Sequence, residues 1–339
     1  MALSTANKSV GLEIDTGTVR AVEASGSAAK PKLLNMAEEK LPEGSVDEGM
    51  VVNPQEVGAA LRELWSSGGI SSRRILLGIS NQGVLVRYAT IPKVPDDKLA
   101  NVLRYHAQEH LPIPLESVVL DHVVIGETAD EDGNKLLEVL LVAARRDMLE
   151  GFLEALELAS LEPVDIDVST LSLMHILPPA ALDRTVAVVN VANGLSNILI
   201  SDRGQPRLAR LVSVKLSDLS SRIGCSLDDV IKYSEGGSAG QREAYTSWAK
   251  SLIAETRSSL TYYQNQSGSS NLEAVIINGR GGRLSGITAR LEEVLGIPVR
   301  LVNPFAGFSN AAKISEGSGI RAVEFAICAG LARRGLEGS

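Results

Sequence analysis

Cysteine is nearly absent from this 339-residue chain. The two present, Cys225 and Cys328, stand about a hundred residues apart in helix-like segments, which is no disulfide framework and fits a reducing cytoplasm. Basic blocks are also missing. The net charge is −8, and Arg145-Arg146 and Arg333-Arg334 are isolated pairs, which argues against a general nucleic-acid binder. No window is apolar and uncharged for long enough to span a bilayer. The opening MALSTANKSV lacks the apolar centre of a signal peptide, and the closing ARRGLEGS is too short and polar for an amphipathic anchor. Any membrane association is therefore expected to run through a partner. Catalytic signatures are few. No Gly-Lys-Ser/Thr exists, which excludes a P-loop, and no G-x-S-x-G elbow occurs. Gly279-Arg280-Gly281-Gly282-Arg283-Leu284 puts leucine at the sixth place of the dinucleotide fingerprint.

What is present is an ordinary soluble composition, 44% hydrophobic and 22% charged, in a chain long enough for two or more domains. Its organising stretch is Ser9 to Glu23. Val10, Leu12 and Ile14 alternate as a half-buried strand does, Asp15-Thr16-Gly17-Thr18 supplies turn chemistry, and Val19 to Glu23 alternates again. At such a tip amides can face a phosphate and a carboxylate can hold a metal, although an ordinary β-hairpin has the same pattern. A second unit follows at Thr185 to Ser201 around Asn193-Gly194, a strong hairpin signal. With Asn190 placed on Glu13, Val189 falls on Leu12, Val191 on Ile14 and Gly194 on Gly17. The repeat interval of roughly 175 residues exceeds any solenoid period. Two related domains would set the two tips across a cleft.

Between the hairpins, residues 83–162 read as strand, helix, strand, strand, helix, a compact α+β insert. Within it, His106-Ala107-Gln108-Glu109-His110 fits H-x-x-E-H, but Leu111-Pro112 ends that helix at once and nothing marks a third ligand. It reads as a polar outer helix face. The Asp147 to Ala159 helix is expected to turn Leu149, Phe152, Leu153 and Leu156 inward. Leu216 to Glu235 and Glu243 to Gln266 read as helices. Ala274 to Asn278 is an apolar strand running into the glycine cluster at Gly279, the general geometry of a nucleotide site.

HLPIPLESVVLDHVVIG, LEVLLVAARRDMLEGFLEALELASLEPVDIDV, LIAETRSSLTYYQNQ, INGRGGRLSGITARLEEVLGIPVRLVNPF and the opening hairpin together resemble the type IV pilus assembly PilM family, over nearly the whole chain and in the family's order. The resemblance implies an α/β fold: the actin-like, duplicated ribonuclease H-like architecture of two domains, with an inserted α+β subdomain of the kind found in the cell-division protein FtsA. The implied division is 1–82 with 163–183 for domain I, 83–162 for the insert, 184–215 with 273–319 for domain II, 216–272 for a smaller subdomain, and 320–339 for a C-terminal helix returning toward domain I.

It further implies a cytoplasmic scaffold, peripheral to the inner membrane through a protein partner, that docks the N-terminal tail of a PilN-like inner-membrane protein. Other pilus assembly proteins and further copies of the chain are the remaining implied partners, with no nucleic acid. By analogy the tail groove is expected between the Val84–Ile91 strand, the Asp96–Leu111 helix and neighbouring parts of the first domain. An FtsA-like filament, an actin-like type II secretion component and a sugar-kinase-type enzyme are the alternatives. The missing C-terminal amphipathic helix weighs against the first, and the want of a transmembrane continuation against the second.

Carried over by position, the implied ligand is ATP with Mg²⁺. The first phosphate loop is Glu13, Asp15, Thr16, Gly17 and Thr18, with Arg20 beside it. The second is Asn190 to Ser196, including Asn193, Gly194 and Ser196, and the adenosine loop is Gly279, Arg280, Gly281, Gly282 and Arg283. Glu13 stands where the family has an acidic group organising Mg²⁺. The departures are specific. Asp15 occupies a place usually held by glycine or serine, Asn190 replaces an aspartate and Ala192 a glycine. No Gly-Gly pair stands near Lys215-Leu216, and Ile231 and Ser234 appear where Glu and Lys often frame adenine. A carboxylate about 4 Å from a phosphate oxygen costs on the order of 4 kcal/mol at a surface-like dielectric unless Mg²⁺ bridges the two. Glu13 and Asp15, two apart on a strand, could share a face and hold that ion together. The departures favour weak or absent ATP binding and weigh against hydrolysis.

Overall fold

A computed structural model describes residues 7–233, 237–266, 268–318 and 321–337; residues 1–6, Ser234 and Glu235, named above, lie outside them. The chain opens with β1 (Lys8–Asp15), β2 (Thr18–Ser27), β3 (Lys30–Lys40), a short ribbon of β4 (Val46–Asp47) and β5 (Met50–Val51), a helix Pro54–Ser67, and β6 (Arg74–Ile79). Then come β7 (Val84–Pro92), a helix Asp96–His110, β8 (Val118–Ala129), β9 (Lys135–Arg145), a helix Arg146–Leu158 and β10 (Glu162–Val168). The second half carries β11 (Thr185–Asn190), β12 (Ser196–Asp202), β13 (Gln205–Val212), a helix Leu216–Ile223 and a long helix Ala239–Gln264. It ends with β14 (Ala274–Asn278), a helix Ile287–Leu295, β15 (Val299–Leu301) and the C-terminal helix Ala326–Arg334.

Two five-stranded sheets share one topology, β10-β6-β1-β2-β3 and β15-β14-β11-β12-β13. In each, an antiparallel meander carries two further parallel strands beside its first strand. The duplication read from two hairpins therefore extends over whole sheets.

Each sheet buries its outer face in its own core. Val10, Leu12 and Leu77 pack with Leu61 and Leu64 of the Pro54–Ser67 helix and with Phe152 and Leu156 of Arg146–Leu158. Ala187, Val189, Ile198 and Ile277 pack with Trp248, Leu252 and Leu260 of the long helix. The inner faces meet around the C-terminal helix: Val22 and Leu76 from the first sheet and Val188, Leu199 and Ile276 from the second enclose Ile327, Cys328 and Leu331. That helix is buried continuously from Ala326 to Ala332, as an all-round apolar sequence requires. Gly11 permits its approach: a Cβ there would stand 2.2 Å from the Cys328 carbonyl oxygen.

The insert is a three-stranded antiparallel sheet, β7-β9-β8. Val139, Leu141 and Ala143 face the Asp96–His110 helix, whereas Val142 and Ala144, one residue out of phase, turn toward the first domain.

Two local expectations fail for readable reasons. Leu153 is 43% exposed, because the buried stripe of its helix is Met148, Phe152, Ala155 and Leu156, at i, i+4, i+7 and i+8. The helix expected over Leu216 to Glu235 stops at Ile223, where Gly224 takes the left-handed conformation (φ 68°), and helical backbone returns only as a tight turn at Val230–Tyr233.

Candidate functional site

The two hairpin tips touch. Asp15 ends β1, and its carboxylate accepts the backbone N–H of Asn193 through Oδ2 (2.9 Å) and of Gly194 through Oδ1 (3.0 Å). The N–H of Thr16 also donates to Oδ1, at 2.8 Å. In return, Asn193 Nδ2 donates to the Thr16 carbonyl at 3.0 Å. The second tip is not the two-residue turn that Asn-Gly suggests. β11 stops at Asn190 and β12 starts at Ser196. The intervening loop is drawn sideways, with Val191 N–H donating to Asn278 O and Val191 O accepting from Gly281 N–H. Gly194 is required for proximity, since a Cβ there would lie 2.7 Å from Thr16 Oγ1 and 3.0 Å from Asp15 Oδ1.

Behind the tips lies an ion network that begins as one cross-strand row. Glu13, Arg20 and Glu38 are register partners across β1, β2 and β3. Arg20 donates from Nε to Glu38 (2.5 Å), and its Nη1 stands 3.5 Å from Glu13 and 3.9 Å from Asp15. Arg280, on the turn after β14, donates to Glu324 (2.7 Å) and to Glu38 (3.1 Å), and Arg283 donates to the other Glu324 oxygen (2.7 Å). Burial drives the Glu13 carboxyl up to about 7, with Arg20 opposing and Asp15 reinforcing the shift. Burial works against the charge on Arg20, yet Glu38, Glu13, Asp15 and Glu324 together hold its pKa above the usual value. Burial likewise pushes Glu324 up, and Arg280 and Arg20 outweigh it, so this carboxyl sits below its ordinary value.

The remaining predicted residues divide. Gly17 forms the first tip, where an added Cβ would stand 3.2 Å from Leu227. Thr18 Oγ1 donates to the Glu39 carbonyl and Ser196 Oγ to the Val214 carbonyl, so both hydroxyls are spent inside their own domains. Asn190 is in register with Asn197 and Asn278 on the two neighbouring strands. Gly279 carries φ 79°, and Gly282 packs toward Ile277 and Leu301. Glu38 and Glu324 were not anticipated; only the β2–β3 register, which opposes Glu38 to Arg20, could have pointed to the first. His106 Nδ1 stands 3.3 Å from Glu109, an (i, i+3) pair on the helix. Among the described residues, no group of three or more His, Cys, Asp or Glu is arranged to hold a metal ion, and no helix is long and apolar enough to cross a membrane.

A family model described as type IV pilus assembly protein PilM matches residues 11–336. The chain belongs to that family. A chain of the solved PilM-PilN type IV pilus biogenesis complex is 26% identical, with a TM-score of 0.80 over 97% of this chain and 98% of that one. The ethanolamine utilization protein EutJ from Carboxydothermus hydrogenoformans (12% identity, 96% and 89% covered, TM-score 0.54) and a glycerol dehydratase reactivase (10%, 97% and 99%, 0.53) share the fold. With the duplicated sheets, this makes the PilM-family chain an actin-like two-domain protein with an inserted subdomain.

Magnesium ATP, the ligand implied for this cleft, does not fit it as arranged. The amides that could cradle a phosphate already hold Asp15. Arg20 Nη1 stands between Glu13 and Asp15, where a shared Mg²⁺ would sit. Four carboxylates (Glu13, Asp15, Glu38, Glu324) face three guanidinium groups (Arg20, Arg280, Arg283), and Asp228 also pairs with Arg280, so no positive charge is left over to receive phosphates. A cavity of about 300 Å³ remains beside Glu38, Asp228, Arg280 and Arg321.

Proposed function

We propose that this PilM-family chain is a cytoplasmic scaffold of a type IV pilus assembly machine, peripheral to the inner membrane, which docks the N-terminal tail of a PilN-like membrane protein. The observation that carries this reading is a cavity of about 620 Å³ between the insert and the first domain, bordered by Gly204 and Pro206 at the β12–β13 turn. Val119 and Val123 of β8, Val142 of β9, Ile166 of β10 and Leu171 form its apolar wall, and Asp121, Asp165 and Arg334 its polar part. Both β8 and β10 stand at sheet edges, where an extended peptide can add its backbone hydrogen bonds. Val119 and Val123 are 42% and 39% exposed, and apolar side chains at an open edge gain by being covered. The 26%-identical relative was solved as a complex with PilN, which supports the choice of occupant.

The groove proposed here lies on the other face of the insert sheet from the one expected by analogy. The Asp96–His110 helix covers the face of the insert sheet that bears Val139 and Leu141, and the cavity opens on the opposite face, toward β10. In this reading ATP does not drive docking and is not hydrolysed, since Asn190 offers the second loop no carboxylate.

Calorimetric titration of the full chain with a synthetic PilN tail peptide tests it. Saturable binding is expected, with Val123→Asp about tenfold weaker or worse at an unchanged thermal midpoint, because a charge would be buried against the peptide. No binding by the native chain, or equal binding by the variant, overturns the proposal.

A further inference from the structure

Three backbone N–H groups from two distant hairpins converge on one carboxylate. Thr16 and Gly194 donate to Asp15 Oδ1 (2.8 and 3.0 Å) and Asn193 to Oδ2 (2.9 Å). Asp15 is 7% exposed, and Arg20, 3% exposed, stands 3.9 Å away. Arg20 Nη2 has no hydrogen-bond partner among the described residues. Convergent amides with a buried guanidinium beside them make an anion site, and the group seated in it is the chain's own.

We propose that Asp15 is a built-in substitute for a bound phosphate: it fills this anion site, fastens the two domains across the cleft and keeps magnesium ATP out. A carboxylate presents two oxygens to N–H donors much as one edge of a phosphate does, and being tethered it costs no association entropy. Gly194 is the complementary device, because any side chain there would enter the space of Thr16 Oγ1 and Asp15 Oδ1. The inference goes beyond tail docking, which uses the cavity between β8 and β10, and peptide affinity measured alongside reports on that reading separately.

The test uses the full chain, an Asp15→Ala variant, and inorganic phosphate and magnesium ATP as probes. The native chain is expected to show no binding heat with magnesium ATP and no shift of its thermal midpoint in phosphate up to about 10 mM. Asp15→Ala is expected to melt lower, and to recover its midpoint saturably in phosphate but not in chloride of matched ionic strength. Micromolar magnesium ATP binding by the native chain, a variant that melts as the native chain does, or phosphate no better than chloride each overturns the proposal. Should Asp15→Ala fail to fold, Asp15→Asn keeps the shape but turns an NH₂ group against the amides. Hydrogen exchange at the Asn193 and Gly194 amides is then expected to speed up by about tenfold or more. Unchanged exchange overturns it.

Discussion

Arg280 Nε donates to Glu324 Oε2 at 2.7 Å, and both residues are 7% exposed. The pair joins the turn after β14 to the segment that leads into the C-terminal helix, and through Glu38 the same guanidinium reaches the first domain. Removing one member of a buried pair strands the other as an uncompensated charge, at a cost of about 3 kcal/mol. Arg280→Ala is therefore expected to lower the urea midpoint by that equivalent. Arg280→Lys should recover only part of the loss, since an ammonium group lacks the planar fork that serves Glu324 and Glu38 together. Equal midpoints for the alanine variant and the native chain would show that the network is not needed for stability.

Glu13 gives the network a pH dependence of definite sign. Its carboxyl titrates at about 7 in the folded protein, mainly because burial disfavours its charge, against an ordinary value of 4.5. Between those values the folded chain holds a proton that the unfolded chain has released. Stability on this account rises as pH falls from 7 toward 4.5 and is lost as pH rises through 7. The whole effect is about 3 kcal/mol. Glu13→Gln removes it, so the native-minus-variant stability should fall by about that amount between pH 5 and pH 8 in chemical denaturation. Parallel profiles would refute the assignment.

The domain boundary carries a second, neutral link. Ser80 Oγ and Thr170 Oγ1, both from the first domain, donate to Asn197 Oδ1 of β12 at 2.8 and 2.7 Å. Asn197→Ala leaves both hydroxyls without that acceptor, and a loss of about 1–3 kcal/mol is expected from thermal denaturation. Asn197→Asp keeps the acceptor and should separate the hydrogen bonds from simple packing.

The two hairpins were legible in the sequence because alternation and turn chemistry are local. Val10, Leu12 and Ile14 announce β1 within a few residues, and Asn193-Gly194 marks a reversal between β11 and β12, whereas β13 was not read. Asp15 was also legible as a departure, but its partners were not. A two-residue spacing suggested that Glu13 and Asp15 share a metal, and they do face one cation, the guanidinium of Arg20. That Asp15 binds Asn193 and Gly194 depends on how two domains close, which no local pattern encodes. Glu324 escaped for the same reason, since its partner Arg280 belongs to a different sheet's loop. Gly194 was recognised as a turn residue, whereas its place follows from the side chains of the opposite tip.

The seating of the C-terminal helix turns on a single hydrogen. A Cβ on Gly11 would lie 2.2 Å from the Cys328 carbonyl oxygen and 2.7 Å from the Ala332 nitrogen, both backbone atoms of the buried part of that helix. Neither can rotate away as a side chain could, so Gly11→Ala must lift the helix from β1 or bend β1 itself. The expected loss is about 3 kcal/mol or more, at the upper end for overpacking. Because Ile327 and Leu331 sit between the two sheets, the damage should spread to the domain contact and not stay in β1. Hydrogen exchange distinguishes the cases: faster exchange is expected both in Ala326–Arg334 and at the Asn193 and Gly194 amides. Acceleration confined to β1 would mean that the helix keeps its place and that the domains close without it.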